Sequence, residues 1–579
     1  MEISLSSVPP WFPDQPYLST PLLAAILRSH GHRVQQFDLN LRFYECYLDP
    51  AFLSGLLEKP IDSSQFNSPE TLRLWEARSE IVSALPETIS IIKTDEFYNR
   101  SRLLEAVETI ELGLRLASLA YPKVKLGFGK CEYAFDSFTP SVVALFIVDR
   151  AQNPFYDFFL NHHISQIQSA EPHLYGISIT THEQLIPALT LCHILRERFP
   201  ATRIVLGGSF LSRISEAITN CEDLWGMIDF LVCGDGEEAI WLLPRAIGGE
   251  IKYSEVPNLW YHSETGAATF SFEKRADIHS LPCPDFDDLP LDRYFSPELT
   301  LPVEMSKGCY WGRCEFCEVT DLSYASKGGD ALAAELETLH NRYGARRFTI
   351  SDSASPPAHL VQMSQTLQDR GLRVFWRAMV RTEKYLTLER ASLLYSAGCR
   401  MLMVGVESGS DAVLGSMNKG SNSKTAEVVL RSLSDAGIWI HAYFLFGFFG
   451  ETTEDVDATL RFVQANANHL DSVGVNLFIL AKGSPTYHKL SASRDGAEMI
   501  QTKPLQIYQP HCFSPVLSPV EDNELRNCIS NGFSSLVAQR EAAQIHLNWL
   551  FQLACFTPSH WDAHQTSLSS TVSPVATVL

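Results

Sequence analysis

The chain has 579 residues, of which 45% are hydrophobic and 20% charged, an ordinary globular composition too long for a single core. A formal charge of −21 argues against bulk binding to a phosphate backbone, so nucleic acid is not an expected partner. No apolar stretch is long enough to span a bilayer, and the start MEISLSSVPPW lacks the basic and apolar regions of a secretory signal, so a cytoplasmic location is expected.

The first segment reads as a β-α-β start. An apolar run, Ile3 to Val8, is followed by the loop signals Pro9, Pro10 and Pro13. Ser19-Thr20-Pro21 reads as a helix N-cap with proline at the first helical position, and Gly31 ends that helix. Arg33 to Leu39 is the next strand. Residues 41–165 then lose the strand pattern and read as a helical insertion. Alternation returns at Leu174–Thr180, at Ile204–Gly208 and at Asp229–Val232, with an amphipathic helix after the first of these. Residues 1–250 therefore read as a doubly wound, Rossmann-like domain with a parallel sheet. Two glycine turns, Gly207-Gly208-Ser209 and Gly234-Asp235-Gly236-Glu237, lie at the strand ends where such sheets bind ligands. Ordinary tight turns would show the same residues.

Residues 251–298 read as a β-hairpin followed by a linker rich in Pro and Asp. A second alternating series fills residues 299–490. Its candidate strands are Leu299–Met305, Arg347–Ser351, Arg373–Met379, Met401–Glu407, Trp439–Phe446 and Ser472–Leu480. Six β-α units at this spacing predict an open, partial (β/α)6 barrel. Residues 491–558 read as a helical C-terminal segment, and 559–579, rich in Ser, Thr and Pro, as a disordered tail. The whole chain is thus α/β.

Of 13 cysteines, ten are scattered and three are grouped in Lys307-Gly308-Cys309-Tyr310-Trp311-Gly312-Arg313-Cys314-Glu315-Phe316-Cys317. The spacing is C-x4-C-x2-C, in a glycine-containing loop after the first barrel strand. Thiolates favour iron–sulfur clusters or zinc. A closed zinc site takes four ligands, so zinc here would need a distant fourth and would make the chain a non-catalytic, metal-stabilised protein. Three cysteines on a four-iron cluster leave one iron open to a substrate.

This loop, with the six β-α units and the motifs below, resembles the radical S-adenosylmethionine (SAM) superfamily. GCYWGRCEFC is similar to its cobalamin-type subgroup, several of whose members are associated with peptide natural products. The resemblance implies a [4Fe-4S] cluster on Cys309, Cys314 and Cys317, whose open iron chelates SAM and whose electron yields a 5′-deoxyadenosyl radical. It also implies a SAM pocket. Ser351-Asp352-Ser353 follows the second strand, where the family contacts the SAM amine; Asp352 could equally cap the next helix. Arg377 would pair with the SAM carboxylate or with Glu407, or form a structural ion pair. In Gly405-Val406-Glu407-Ser408-Gly409, Glu407 would accept from the ribose hydroxyls or the amine, with Gly405 and Ser408 beside it. Gly447 and Gly450 would lie beside adenine, with Glu451 an acidic first-turn residue of the next helix and Leu480 touching the base.

The doubly wound domain resembles the cobalamin-binding domain of the B12-dependent members, so that Gly207, Gly208, Gly234 and Gly236 would cradle the corrin and its tail. The motif D-x-H-x-x-G, which supplies a lower cobalt ligand in many cobalamin proteins, is missing; Asp38-Leu39-Asn40 does not supply it. The expected activity is cobalamin-dependent methylation of an unactivated carbon in a peptide or other natural-product substrate. A radical cyclisation or rearrangement without methyl transfer is the alternative. The expected partners are a small-molecule or peptide substrate and a reductase, flavodoxin or ferredoxin electron donor.

Overall fold

The computed structural model describes residues 1–579 apart from 136–137, 168–170, 322, 494–499, 501–503, 506, 511–544 and 557–579. The chain divides into two compact units, the first spanning Met1–Pro297 and the second beginning at Glu298.

The first unit is built on a seven-stranded sheet. Its strands are β1 (Glu2–Ser7), β2 (Arg33–Asp38), β5 (Leu174–Ser178), β6 (Arg203–Gly207), β7 (Phe230–Val232), β8 (Leu259–His262) and β9 (Ala268–Phe270); a separate hairpin, β3 (Val124–Gly127) and β4 (Lys130–Tyr133), lies within the insertion. The order is β2-β1-β5-β6-β7-β8-β9. The first five of these run parallel, and β8 and β9 close the edge antiparallel. Counted by appearance, the parallel strands follow 2-1-3-4-5, the flavodoxin-like winding, whose direction reverses between β1 and β5. Ser7 is in register with Ser178 at that reversal.

Three expectations change here. The first helix is Ser19–Ser29, and its cap residue Leu18 makes no side-chain cap bond. Ser19 instead donates to Ser178 Oγ at 2.9 Å, tying the helix to the sheet. The hairpin at 259–270 is not a separate element, because β8 pairs with β7. The Pro- and Asp-rich stretch after it is bound down on the first unit: Gln36 donates to the Asp285 carbonyl at 2.8 Å, Arg28 meets Asp285 at 2.8 Å, and Tyr294 donates to Asp38 at 2.7 Å. The insertion is mostly helical, packed around the fully buried rings Phe43, Tyr44, Tyr47, Phe155 and Phe158.

The second unit contains a six-stranded, wholly parallel sheet. Its strands are β10 (Thr300–Val303), β13 (Arg347–Ile350), β14 (Phe375–Arg381), β15 (Cys399–Glu407), β16 (Trp439–Phe446) and β17 (Ser472–Leu477), paired in chain order. Helices connect them, as parallel pairing requires. A two-residue ribbon, β11 (Ser306–Lys307) with β12 (Ala325–Ser326), follows β10. Beyond β17, β18 (Ile479–Ala481) pairs antiparallel with β19 (Tyr508–Pro510). The helix Leu547–Cys555 buries the run Asn548 to Leu553. Its Gln552 donates to Thr300 Oγ1 and to the Glu298 carbonyl, both at 2.9 Å, so it seals the end of the barrel where the strands begin. The tail expected at 559–579 lies outside the described residues.

Candidate active site at the carboxyl ends of the barrel strands

The cysteine loop leaves β10 and is anchored before its first cysteine. Asp352, just past β13, accepts from the Met305 and Ser306 amides at 2.9 Å each and from Ser355 Oγ at 3.0 Å. It is 5% exposed. Both carboxylate oxygens are thus engaged: Oδ1 joins the ends of the first two strands and Oδ2 holds Ser355 in its own loop. The following helix starts at Pro357 behind Pro356, so Asp352 does not cap it. Its neighbour Ser351 is exposed, and its amide donates to Val303 O.

Gly308 and Gly312 have φ of 73° and 54°, which lets the loop fold back on itself. Cys314 is buried, while Cys309 and Cys317 are half-buried. Burial pushes the Cys317 thiol up to about 11, with Cys314, Glu318 and Cys309 adding to the rise against the Val319 amide bond. Among the described residues, no three His, Cys, Asp or Glu side chains converge as the ligands of a single ion would. A four-iron cluster takes its thiolates at separate irons and asks for a wider set.

Two buried cations flank Cys314. Arg381, at the end of β14, points Nη1 at Cys314 Sγ, 3.7 Å away. It lies 4.7 Å over the Trp311 ring and donates to the Lys419 carbonyl. Its Nε is 3.6 Å from Glu383, which also accepts from Tyr310 at 2.7 Å. Lys419 pairs with Glu407 at 2.7 Å. Burial raises the Cys314 thiol, and Lys419 and Arg381 oppose that rise. Trp311 donates to Asn418 O at 2.9 Å and packs so close to Gly420 that a Cβ there would fall 2.2 Å from its ring. Glu315 donates its amide to Met417 O at 2.9 Å and pairs with Lys489 at 2.7 Å. The cysteine loop and the 417–420 turn are therefore one packed assembly.

Glu407 ends β15 at φ 69°, where the register with β16 shifts. A non-glycine residue in that region is strained and needs surroundings that hold it. The Lys419 pair is that restraint. Gly405 makes room for it, since a Cβ there would lie 2.8 Å from Glu407 Oε1 and 2.9 Å from Lys419 Nζ. The pairing of Glu407 with Arg377 is therefore corrected. Arg377 donates to Thr349 Oγ1 at 3.0 Å and sits 5.9 Å over the Phe551 ring. Ser408 is fully buried against Thr459 Oγ1 at 2.9 Å, which makes it a packing residue of the helix Thr453–Ala465.

At the end of β16, Gly447 has φ 81° and its amide donates to Glu451. Glu451 is not a first-turn residue: the helix begins at Thr453, behind the Thr452 cap. It is 5% exposed, its Oε1 has no partner, and burial first, then Asp455, pushes its carboxyl up to about 7 against the Gly447 bond. Leu480 is buried with Val413, Met417, Phe448 and Phe478.

The glycines of the first unit divide by role. Gly208, at φ 121°, has no room for a Cβ, which would fall 2.0 Å from the Ile179 carbonyl. Gly207 has room, its nearest neighbour being Val232 Cβ at 3.8 Å. Gly234 (φ 84°) donates to Ser212 at 2.7 Å, and Gly236 precedes the helix Glu237–Ile247. Asn258 locks this turn by donating to Asp235 O at 2.7 Å.

Arg381, Lys419, Glu383 and Tyr310 are functional candidates that sequence reasoning passes over. A signal existed for Arg381, a charge ending an apolar strand, the same cue that singled out Glu407. Lys419 carried none, since it lies in a loop.

Residues 303–463 match the Radical SAM superfamily model. The chain therefore carries a radical SAM domain, the kind that works with a [4Fe-4S] cluster and SAM. It is 25% identical to an uncharacterised methyltransferase of Pyrococcus horikoshii over 52% of this chain and 65% of that protein. It is 29% identical to the bacteriochlorophyllide d C-12(1)-methyltransferase of Chlorobaculum tepidum over 29% of this chain and 38% of that one, and 22% identical to the anaerobic magnesium-protoporphyrin IX monomethyl ester cyclase of Synechocystis over 56% and 64%. The chain thus spans less than two thirds of each of these relatives. In fold it is similar to the cobalamin-dependent SAM radical enzyme OxsB, with a TM-score of 0.61 at 14% identity over 97% of this chain and 71% of that one. It is also similar to the radical SAM methyltransferase TsrM of Kitasatospora setae, with a TM-score of 0.53 at 15% identity over 92% and 88%. Among the described residues, no helix is long and apolar enough to cross a membrane.

Proposed function

We propose that this chain is a cobalamin-dependent radical SAM methyltransferase acting on an unactivated carbon of a natural-product scaffold. The observation that carries the reading is the loop after β10 at the carboxyl end of a six-stranded parallel sheet, which offers three thiols, with the buried Arg381 directed at Cys314 and the Lys419–Glu407 pair on the adjoining turn. When bound there, a [4Fe-4S] cluster supplies the electron that cleaves SAM. Cys309, Cys314 and Cys317 would hold it. Glu407 would orient SAM through its ribose hydroxyls or amine, with Gly405 keeping the carboxylate in place. The turn at Gly447 and Leu480 would shape the adenine side, and Arg377 is assigned to the barrel interior. The flavodoxin-like winding and the turns at Gly207, Gly208, Gly234 and Gly236 support cobalamin in the first unit, the cofactor named for OxsB and TsrM.

The test is anaerobic reconstitution with iron, sulfide and hydroxocobalamin, followed by metal analysis and a visible spectrum. About four irons per chain, as three-thiolate ligation implies, with stoichiometric corrin is the expected result. In Cys314→Ala, iron loading and SAM cleavage should both be lost; retention of both would sink the cluster assignment. Iron without corrin would move the reading to a radical cyclisation or rearrangement without methyl transfer; three of the relatives are named as anaerobic magnesium-protoporphyrin IX monomethyl ester cyclases. Peptides and tetrapyrroles are the substrate classes to screen, and added carbon in the product separates methylation from cyclisation.

A further inference from the structure

We propose that Arg381 sets how easily the cluster at the cysteine loop is reduced, with the Glu407–Lys419 pair as its counterweight. The inference rests on the cluster reading above.

Arg381 is 4% exposed and Lys419 5%. Buried charges are costly unless they are compensated. Lys419 is compensated, with Glu407 at 2.7 Å. Arg381 is compensated poorly. Glu383 stands 3.6 Å from its Nε, no hydrogen bond satisfies that nitrogen, and Glu383 is shared with the Tyr310 hydroxyl at 2.7 Å. Of the two terminal nitrogens, Nη2 takes a neutral carbonyl and Nη1 faces Cys314 Sγ. The positive charge left over is therefore directed at a cysteine sulfur. Three thiolates give a bound cluster net negative charge, and reduction adds one more electron, taken without a proton from an external low-potential one-electron donor. A nearby cation that is only partly compensated stabilises the reduced state more than the oxidised one, as do hydrogen bonds to ligand sulfur. The Trp311 ring beneath the guanidinium and the Lys419 carbonyl beside it fix its aim.

Sign distinguishes this role from a structural one. Arg381→Gln removes the charge, Arg381→Lys keeps it, and Glu407→Gln frees Lys419 and adds net positive charge. Each reconstituted protein would be titrated with dithionite without SAM, following the cluster by electron paramagnetic resonance, with iron content measured alongside. The expected result is a more negative midpoint for Arg381→Gln, by at least about tenfold in the reduction equilibrium, which is about 59 mV for one electron. Arg381→Lys should stay near wild type, and Glu407→Gln should move the opposite way. Equal midpoints in all four proteins would overturn the inference while iron loading leaves the cluster reading standing. So would equal loss of iron from both Arg381 variants with no shift in Glu407→Gln. A wild-type chain that takes up no iron would overturn the cluster reading, and this inference with it.

Discussion

Glu407 ends β15 and Glu451 lies in the turn after β16, and the two carboxylates have different partners. Glu407 faces the Lys419 ammonium group at 2.7 Å; Glu451 is buried beside Asp455 with one oxygen unpartnered. Glu407→Gln should weaken SAM binding about tenfold or more, the scale of losing one charge-assisted bond, and leave iron loading intact. Equilibrium binding to the reconstituted protein checks this, and unchanged affinity would return the residue to a structural role. For Glu451 the folded pKa, about 7, lies above the ordinary 4.5. Its stabilising contribution is therefore complete below about pH 4.5 and lost as pH rises through 7, on the order of 3 kcal/mol at most. Denaturant midpoints should fall between pH 5 and 8, and Glu451→Gln should flatten that part of the profile.

At the scale of elements, the glycine turns separate packing from ligand approach. Gly208→Ala would press a Cβ into the Ile179 carbonyl at a left-handed φ, and Gly398→Ala would press one into the Val374 carbonyl at 1.8 Å with φ 97°. Each should cost about 3 kcal/mol or more by chemical denaturation, with or without any ligand. Gly207→Ala meets only ordinary contacts, so its stability should stay within about 0.5 kcal/mol of wild type. If the corrin passes over this turn, Gly207→Ala should still weaken hydroxocobalamin binding, measured by absorbance titration. Unchanged affinity would remove Gly207 from the cobalamin site. The same contrast runs through the barrel: Ser408-Gly409 packs against the helix Thr453–Ala465, whereas Gly405 clears space for the Glu407–Lys419 ion pair.

Across the whole molecule, both units carry a buried neutral histidine. His163 is held down to about 3 and His441 to about 4, burial being the first cause in each. His163 is 2.6 Å from the Tyr175 hydroxyl, and His441 is 2.9 Å from Ser472 Oγ. The unfolded chain takes up these protons near pH 6.5 and the folded one only at lower pH. Their stabilisation is therefore present above 6.5 and lost as pH falls toward 4 for His441 and toward 3 for His163, on the order of 3 and 5 kcal/mol at most, respectively. Acid unfolding followed by circular dichroism should begin in that window. His163→Asn and His441→Asn should each flatten part of the slope, and an unchanged acid profile in both would remove the histidines from the account.

The local signals were strong where a physical period repeats. Alternation placed β16 at Trp439–Phe446, and the other five barrel strands emerged within a few residues of their expected bounds, because buried parallel strands need continuous apolar runs. The cysteine loop was legible because three soft ligands in eleven residues are rarely there for packing. Pairing was not legible. Nothing local says that β8 will extend the sheet beside β7, that Asp352 will spend its carboxylate on Met305 and Ser306, or that a loop lysine at 419 will claim Glu407 from Arg377. The sequence by itself determined the parallel strands of both sheets and the thiol set, through periodicity and spacing. Only the tertiary structure decided which charges face which, because buried ion pairs are chosen by distance in space between residues that the chain keeps apart.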